Sequence, residues 1–409
     1  MNKKVSLGVT ISIAAIVCAL TFIVTSFLTL RRFNTKVQAV KEKAEKYDRL
    51  EALDTYVRGH FYEKDLDEEA LVDGILKGYV DGLNDPYSYY LTSDEYDALM
   101  EKESGKTVGI GVTVQPNEDG YLDIVEVEEG SPASDSGLEP GDVITGVDGQ
   151  DIGEMEYTAA VDLVRGEENT KVRLTILRDG KETDHTITRK HFDLITVQSE
   201  LLDGHIGYIR ITNFRENTDE QFQEALDEMT ANGADALLFD VRSNGGGLLN
   251  SLQEILDPLL PEGVIATATY QDGNTETAVY SDDSEIDLPM VVLVNGTTAS
   301  AAELFSASLR DFKDAKLIGT TTYGKGVMQT TTRMADGGGL TLTVATYQTT
   351  RSECYHGIGL EPDEVVETGE DTVIADRDPE TDPQLAAGIE ALSRQVALCR
   401  RLKTNSRRS

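Results

Sequence analysis

The sequence predicts an α/β core preceded by a small β-rich domain, a helical N-terminal region and one N-terminal transmembrane helix. Three observations carry that expectation. Strand and helix signals alternate from Ile206 onward, short β-rich runs between glycine turns fill 105–190, and an uncharged run extends from Val5 to Leu30. With 409 residues and 39% hydrophobic content, the chain can bury two or three packed cores.

The apolar run comes first. Lys3 and Lys4 precede it and Arg31 and Arg32 follow it. As a helix it would reach about 39 Å against a hydrocarbon layer of about 30 Å, and it exceeds the apolar core of a cleaved signal peptide. Residues 1–33 are therefore expected to form a cytoplasmic leader and an uncleaved anchor, with the short lysine leader inside. That makes the protein a single-pass protein of the cell membrane, its catalytic part extracytoplasmic. Bulky Val17 before Cys18 argues against lipidation.

Residues 34–104 carry apolar positions at helical spacing, such as Leu66, Ala70, Leu71, Ile75 and Tyr79, broken at Asn84-Asp85-Pro86. Residues 105–190 form the β-rich domain. Residues 191–368 form the core, with strands near Ile206 to Ile211, Ala236 to Val241, Met290 to Asn295 and Ala315 to Gly319 and helices between them. Residues 369–409 are an acidic linker, a final helix and a basic tail. The 73 acidic residues against 37 Lys and Arg give a net charge of −36, which repels phosphate backbones, so no nucleic-acid partner is expected. The three cysteines, Cys18, Cys354 and Cys399, form neither a disulfide framework nor a metal-ligand spacing.

In the β-rich domain, Gly109-Ile110-Gly111-Val112 opens a strand, and Gly130-Ser131-Pro132-Ala133 leads to Gly137-Leu138-Glu139-Pro140-Gly141-Asp142. Together these resemble a PDZ domain of the bacterial protease type. The resemblance implies that the N-H groups of Ile110, Gly111 and Val112 cradle a substrate's C-terminal carboxylate while the peptide adds as a strand. Glycine suits this because the anion approaches the main chain without a Cβ in the way. Arg165, in Val164-Arg165-Gly166, matches an arginine that in relatives couples the PDZ domain to the protease part; by itself it reads equally as a solvated helix-end charge.

A nucleophilic hydrolase needs a hydroxyl or thiol, a base and oxyanion donors. None of the five histidines stands beside a serine in a recognisable setting, and no Gly-x-Ser-x-Gly elbow occurs. Ser300 follows the strand Val291-Val292-Leu293-Val294 at the start of a helix, ordinarily an N-cap position. Lys325 stands between Gly324 and Gly326, ordinarily an exposed turn. Upstream, Arg242-Ser243-Asn244-Gly245-Gly246-Gly247 is a glycine-rich strand-to-helix turn without the Lys-Ser or Lys-Thr of a P-loop.

In this order the three segments resemble the carboxyl-terminal processing proteases, also called tail-specific proteases, which carry a Ser-Lys dyad on a crotonase-like α/β core. The likeness covers roughly 60–368. It includes Asp85-Pro86-Tyr87-Ser88 and Gly357-Ile358-Gly359-Leu360-Glu361-Pro362-Asp363. It implies Ser300 as nucleophile, Lys325 as base, Gln329 as the residue that orients the lysine, and Gly246 and Ala301 as oxyanion donors. The chain departs from the family pattern with Gly245 in place of proline and Thr297-Thr298 in place of Gly-Ser.

A lysine with an ordinary pKa near 10.4 is almost never neutral at pH 7. Lowering it to about 7 takes about 4.6 kcal/mol, within the reach of burial, so the site must keep water from Lys325. No metal or organic cofactor is required. The expected partners are proteins or peptides bound by their C-terminal carboxylate, and a homo-oligomer is compatible with the sequence. The expected function is a serine endopeptidase acting on extracytoplasmic proteins. Two other classes compete. A non-catalytic PDZ scaffold would leave Ser300 unreactive, and an acyl-CoA enzyme would share the core but have no use for the anchor and the PDZ domain.

Overall fold

The computed structural model describes residues 20–31, 47–117, 119–369, 374 and 378–406, with side chains up to 398. The chain forms two compact units, 1–75 and 76–409. The first is helical over 20–31 and 47–60 and contains the beginning of the helix Glu68–Asp81. Arg58 pairs there with Asp54 at 2.8 Å and with Glu68. These ions are solvated, so the pairs contribute little to stability.

The expected transmembrane helix is corrected. Among the described residues no helix is long and apolar enough to cross a membrane. Of the run from 5 to 30, the helix is described only from residue 20, about 18 Å through residue 31 against the roughly 30 Å a span needs. Residues 5–19 lie outside the described residues. Uncharged length in the sequence had been equated with helix length. The single-pass placement in the cell membrane with the catalytic part outside, and the membrane as a partner, fall with that helix.

In the second unit, strands are numbered in chain order. The first nine are β1 (Tyr89–Leu91), β2 (Lys106–Gly109), β3 (Val112–Pro116), β4 (Leu122–Val127), β5 (Val143–Val147), β6 (Gln150–Asp151), β7 (Lys171–Arg178), β8 (Lys181–Thr188) and β9 (Lys190–Asp193). One sheet runs β3-β4-β5-β7-β8 with β6 on β5, while β2 pairs with β9. In β7 the residues Val172, Leu174 and Ile176 are buried while Lys171 and Arg173 face water, the period-2 pattern of a strand with one face on a core. Leu122, Ile124, Ile144, Ile152 and Ala160 complete that core.

The remaining strands are β10 (Val197–Leu202), β11 (Ile206–Ile211), β12 (Ala236–Asp240), β13 (Gly263–Tyr270), β14 (Thr275–Ser281), β15 (Met290–Val294), β16 (Lys316–Gly319), β17 (Val327–Arg333), β18 (Gly339–Thr349) and β19 (Glu364–Val365). The main sheet is β10-β11-β12-β15-β16-β19, parallel from β11 onward. β12 and β15 are buried on both faces, which is why they read as unbroken apolar runs. Leu237, Phe239, Val292 and Val294 pack with Phe222, Leu226, Leu252, Leu304 and Phe305 from helices on one face. Leu238, Val291 and Leu293 pack with Leu385, Ala391 and Leu392 of the C-terminal helix Pro383–Ser406 on the other. A second sheet, β1-β18-β13-β14 with β17 on β18, stands beside it.

Beneath the glycine-rich turn lies an ion cluster. The Arg242 guanidinium is buried between Asp240, at 2.6 and 2.9 Å, and Asp382, at 2.7 Å, and it donates to Gln384 Oε1 at 3.1 Å. Tyr208 donates its hydroxyl to Asp240 at 2.8 Å. The cluster joins the end of β12 to the start of the C-terminal helix. Removing one partner leaves the other charges buried and unpaired, so Arg242→Leu is expected to lower unfolding free energy by about 3–5 kcal/mol. Urea unfolding followed by circular dichroism measures this, and a loss under 1 kcal/mol would mean that water reaches the cluster.

Candidate active site

Three loops leave the same end of the parallel sheet and meet: the glycine-rich turn after β12, the segment before Ser300 after β15, and the Lys325 loop after β16. The Ala301–Lys313 helix begins immediately after Ser300, whose backbone is forced to φ 58°, ψ −122°. That conformation is sparsely populated for a side-chain-bearing residue, and it needs surroundings that hold it.

Glu303 supplies that support. Its side chain is fully buried. Its Oε2 accepts the Ser300 N-H at 2.9 Å and the Lys325 N-H at 2.7 Å, and its Oε1 accepts the Gly324 N-H at 2.7 Å and the Thr322 hydroxyl. One carboxylate therefore ties the Ser300 segment to the Lys325 segment. The sequence analysis missed it, although its place three residues after Ser300, the capping-box position, was visible.

Tyr347 was missed as well. Its hydroxyl lies 3.3 Å from Ser300 Oγ and 3.2 Å from the Lys325 carbonyl oxygen. Burial holds that phenol well above its usual pKa, so it stays protonated and can donate to the serine oxygen.

Lys325 is partly buried, with its Nζ 4.8 Å from the centroid of the Tyr87 ring. Burial lowers its pKa, outweighing the opposing charges of Asp85 and Glu303. No hydrogen bond joins Ser300 Oγ to Lys325 Nζ among the described residues; the two side chains share a site whose backbone is fixed by Glu303. Gln329 does not reach the lysine. A bulge beside it in the β17–β18 ladder accompanies bonds from its Nε2 to Thr343 Oγ1 at 3.1 Å and to the Val327 carbonyl at 3.4 Å.

The glycine turn closes under Ser300. Gly246 has φ 100°, and a Cβ there would stand 2.7 Å from Ser300 Cβ and 3.0 Å from the Ala301 nitrogen, so only glycine fits. Its N-H donates to Asn244 Oδ1 at 2.8 Å, and the Asn244 carbonyl accepts the Ala299 N-H at 2.9 Å. Ala301 N-H is the first of its helix and has no acceptor within it. Thr298 spans the loop, receiving the Asn295 N-H at 3.0 Å and donating to the Val241 carbonyl at 2.9 Å.

The PDZ-side residues also come together. Ile110, Gly111, Val112 and Arg165 line a groove of about 370 Å³ with Val161 and Phe192. It runs beside β3 and the helix Tyr157–Val164. The Ile110 side chain is only 3% exposed and belongs to the domain core, leaving its backbone to face a ligand. Gly111 has φ 81°, and a Cβ there would collide with Ser131 at 2.2 Å. Arg189 ends the groove helix, donating to the carbonyls of Val164 at 2.9 Å and Leu163 at 3.0 Å that the helix itself cannot satisfy.

Comparison with known proteins accounts for this arrangement. Residues 205–366 match the model of peptidase family S41, 124–178 that of the PDZ domain, and 14–95 that of the activating protease CtpB N-terminal domain. The carboxy-terminal processing protease CtpA of Bacillus subtilis is 34% identical over 368 residues, covering 88% of this chain and 77% of the relative. A carboxyl-terminal-processing protease of Synechocystis is 35% identical, covering 77% and 75% respectively. The crystal structure of a Bacteroides fragilis protein assigned to the S41 proteases shares the fold at 18% identity, covering 75% of this chain and 85% of that one with a TM-score of 0.50. Fold, site and relatives define a serine-type peptidase with an attached PDZ domain. The chain belongs to peptidase family S41, among the carboxyl-terminal processing proteases.

Glu303→Gln would set an NH₂ group against N-H donors that now share a carboxylate. Leaving even one of those donors unpaired costs about 1–3 kcal/mol, so a stability loss of that size is expected together with loss of hydrolysis. Urea unfolding and a peptide assay on the same preparation measure both. Unchanged stability and rate would mean that Glu303 does not hold the two loops.

Proposed function

We propose that this peptidase cleaves protein substrates bearing a free C-terminus, with Ser300 as nucleophile and Lys325 as general base. The observation that carries the reading is the shared carboxylate, Glu303, which accepts the backbone N-H of both residues at 2.9 and 2.7 Å. Neutral Lys325 takes the Ser300 proton as Oγ attacks the peptide carbonyl, then returns it to the leaving amine. Water, deprotonated by the same lysine, hydrolyses the acyl-enzyme. The Ala301 N-H receives the developing oxyanion, and Gly246 joins it once its N-H leaves Asn244. Gln329 keeps the lysine oriented, and no cofactor takes part. The groove beside β3 receives the substrate's carboxylate on the N-H groups of Ile110, Gly111 and Val112, with the peptide added as a strand. Arg165 at the groove rim relays occupancy to the peptidase core.

Ser300→Ala and Lys325→Ala are each expected to abolish peptide hydrolysis with the fold retained, and Gln329→Ala to slow it strongly. Substantial hydrolysis by purified Lys325→Ala would discard the dyad. Only the neutral amine accepts a proton, so activity rises with pH through the lowered pKa of Lys325, with a midpoint below the ordinary lysine value near 10.4. A rate that falls over that interval would contradict a lysine base.

Charge-assisted hydrogen bonds are worth about 1.5–3 kcal/mol, so amidating a substrate's C-terminus should weaken recognition about tenfold to a hundredfold. Matched peptides ending in one aliphatic residue, free or amidated, measure this below saturation. Equal kcat/KM for the pair would show that the groove does not select C-termini.

A further inference from the structure

The turn Asp85-Pro86-Tyr87-Ser88 fits the family pattern in sequence but has no part in the chemistry described so far. In the fold it reaches the base. The half-buried Tyr87 ring covers Lys325 Nζ at 4.8 Å and meets the His356 ring edge-on at 6.5 Å. The Asp85 carboxylate accepts the Ser88 hydroxyl and the Tyr87 N-H at 3.3 Å. Ser88 Oγ in turn accepts the Thr343 N-H at 3.0 Å. Gln329 donates to the Thr343 hydroxyl at 3.1 Å. The chain Gln329, Thr343, Ser88, Asp85 is therefore continuous, and it ends on a carboxylate whose charge favours the protonated lysine.

The groups facing Lys325 are Asp85 and Tyr87 from this turn, Glu303 from the nucleophile helix, Tyr323 from its own loop, Tyr347 from β18 and, behind Tyr87, His356. Asp85 and Glu303 are the opposite charges acting on the amine. Glu303 is committed through both oxygens to four donors in the two loops. Asp85 stands on a separate element, bonded within its own turn, which Ser88 ties to β18, and is the charge not committed to the two loops.

We propose that Asp85 and Tyr87 are positioning residues for the general base. The Tyr87 ring keeps water from the Lys325 amine, the Asp85 charge supports that amine while it carries the serine proton, and Gln329 acts on it through Thr343, Ser88 and Asp85. The proposal rests on Lys325 being the base. Removing the Asp85 charge withdraws support from the protonated amine, whereas removing the ring readmits water and restores that support. The two changes therefore move the lysine's titration in opposite directions, which loss of structure alone would not do. Attraction between ammonium and ring opposes the second shift, and burial, which already outweighs the charges of Asp85 and Glu303, is expected to exceed it.

The test is the pH profile of kcat/KM for Asp85→Asn, Tyr87→Ala and Tyr87→Phe. Beside it runs the pH dependence of Lys325 acylation by acetic anhydride in a Ser300→Ala background, read by mass spectrometry. Asp85→Asn should lower the midpoint by about one unit and kcat by about tenfold, Tyr87→Ala should raise the midpoint by about one unit, and Tyr87→Phe should leave it in place. Midpoints unmoved in both Asp85→Asn and Tyr87→Ala overturn the proposal. If Asp85→Asn does not fold, the decision falls to the pair Gln329→Ala and Thr343→Val. Rate losses that fail to add in the double variant support the relay, and additive losses overturn it. The acylation titration needs no turnover. Unmoved midpoints in a chain whose Lys325→Ala variant is inactive therefore count against Asp85 and Tyr87 alone, whereas an active Lys325→Ala counts against the dyad.

Discussion

The active end of this molecule depends on one buried carboxylate. Glu303 has no exposed surface, and taking such a group out of water costs several kcal/mol unless its lone pairs are filled. Four donors fill them, two of which are the backbone N-H groups of Ser300 and Lys325. Neither loop can shift without leaving that carboxylate short of a partner. The same constraint supports the strained backbone of Ser300 at φ 58°, which no helix cap alone would require.

The sheet decides which residues Glu303 can bring together. The three loops leave the carboxyl ends of adjacent parallel strands, β12, β15 and β16, where open α/β sheets ordinarily bind their ligands. The glycine turn is anchored from below by Arg242 between Asp240 and Asp382, so the C-terminal helix, far along the chain, helps to hold it. From above, Gly246 lies so close to Ser300 that any side chain would displace the serine. The turn is thus fixed in place while its N-H remains on Asn244, an arrangement in which Ala301 alone presents a donor free of the helix ladder.

The PDZ domain shows the same economy of side chains. Ile110 spends its side chain on the domain core and leaves only its backbone to the groove, and Gly111 is excluded from any other identity by Ser131.

Much of the fold was legible in local pattern. Alternation in β7, unbroken apolar runs in β12 and β15, and glycines at turns each reflect the burial of a single element, which the sequence alone determines. Ser300, Lys325 and the glycine turn were legible as an ordered set of motifs, and the fold gathers them. The length of the apolar N-terminal run was also legible, but among the described residues no helix is long and apolar enough to make that length a span. Tertiary structure decided everything that depends on contacts between distant segments. Glu303 gained its role only when β16 brought Lys325 to the oxygen that also holds Ser300, Tyr347 only when β18 carried its hydroxyl to Ser300, and Gln329, expected on the lysine, bonds to Thr343 where the ladder bulges. Ser88 and Thr343 stand 255 positions apart and share a hydrogen bond. No local periodicity encodes such a contact, because the burial that makes an unpaired polar group costly arises only when the two sheets have packed.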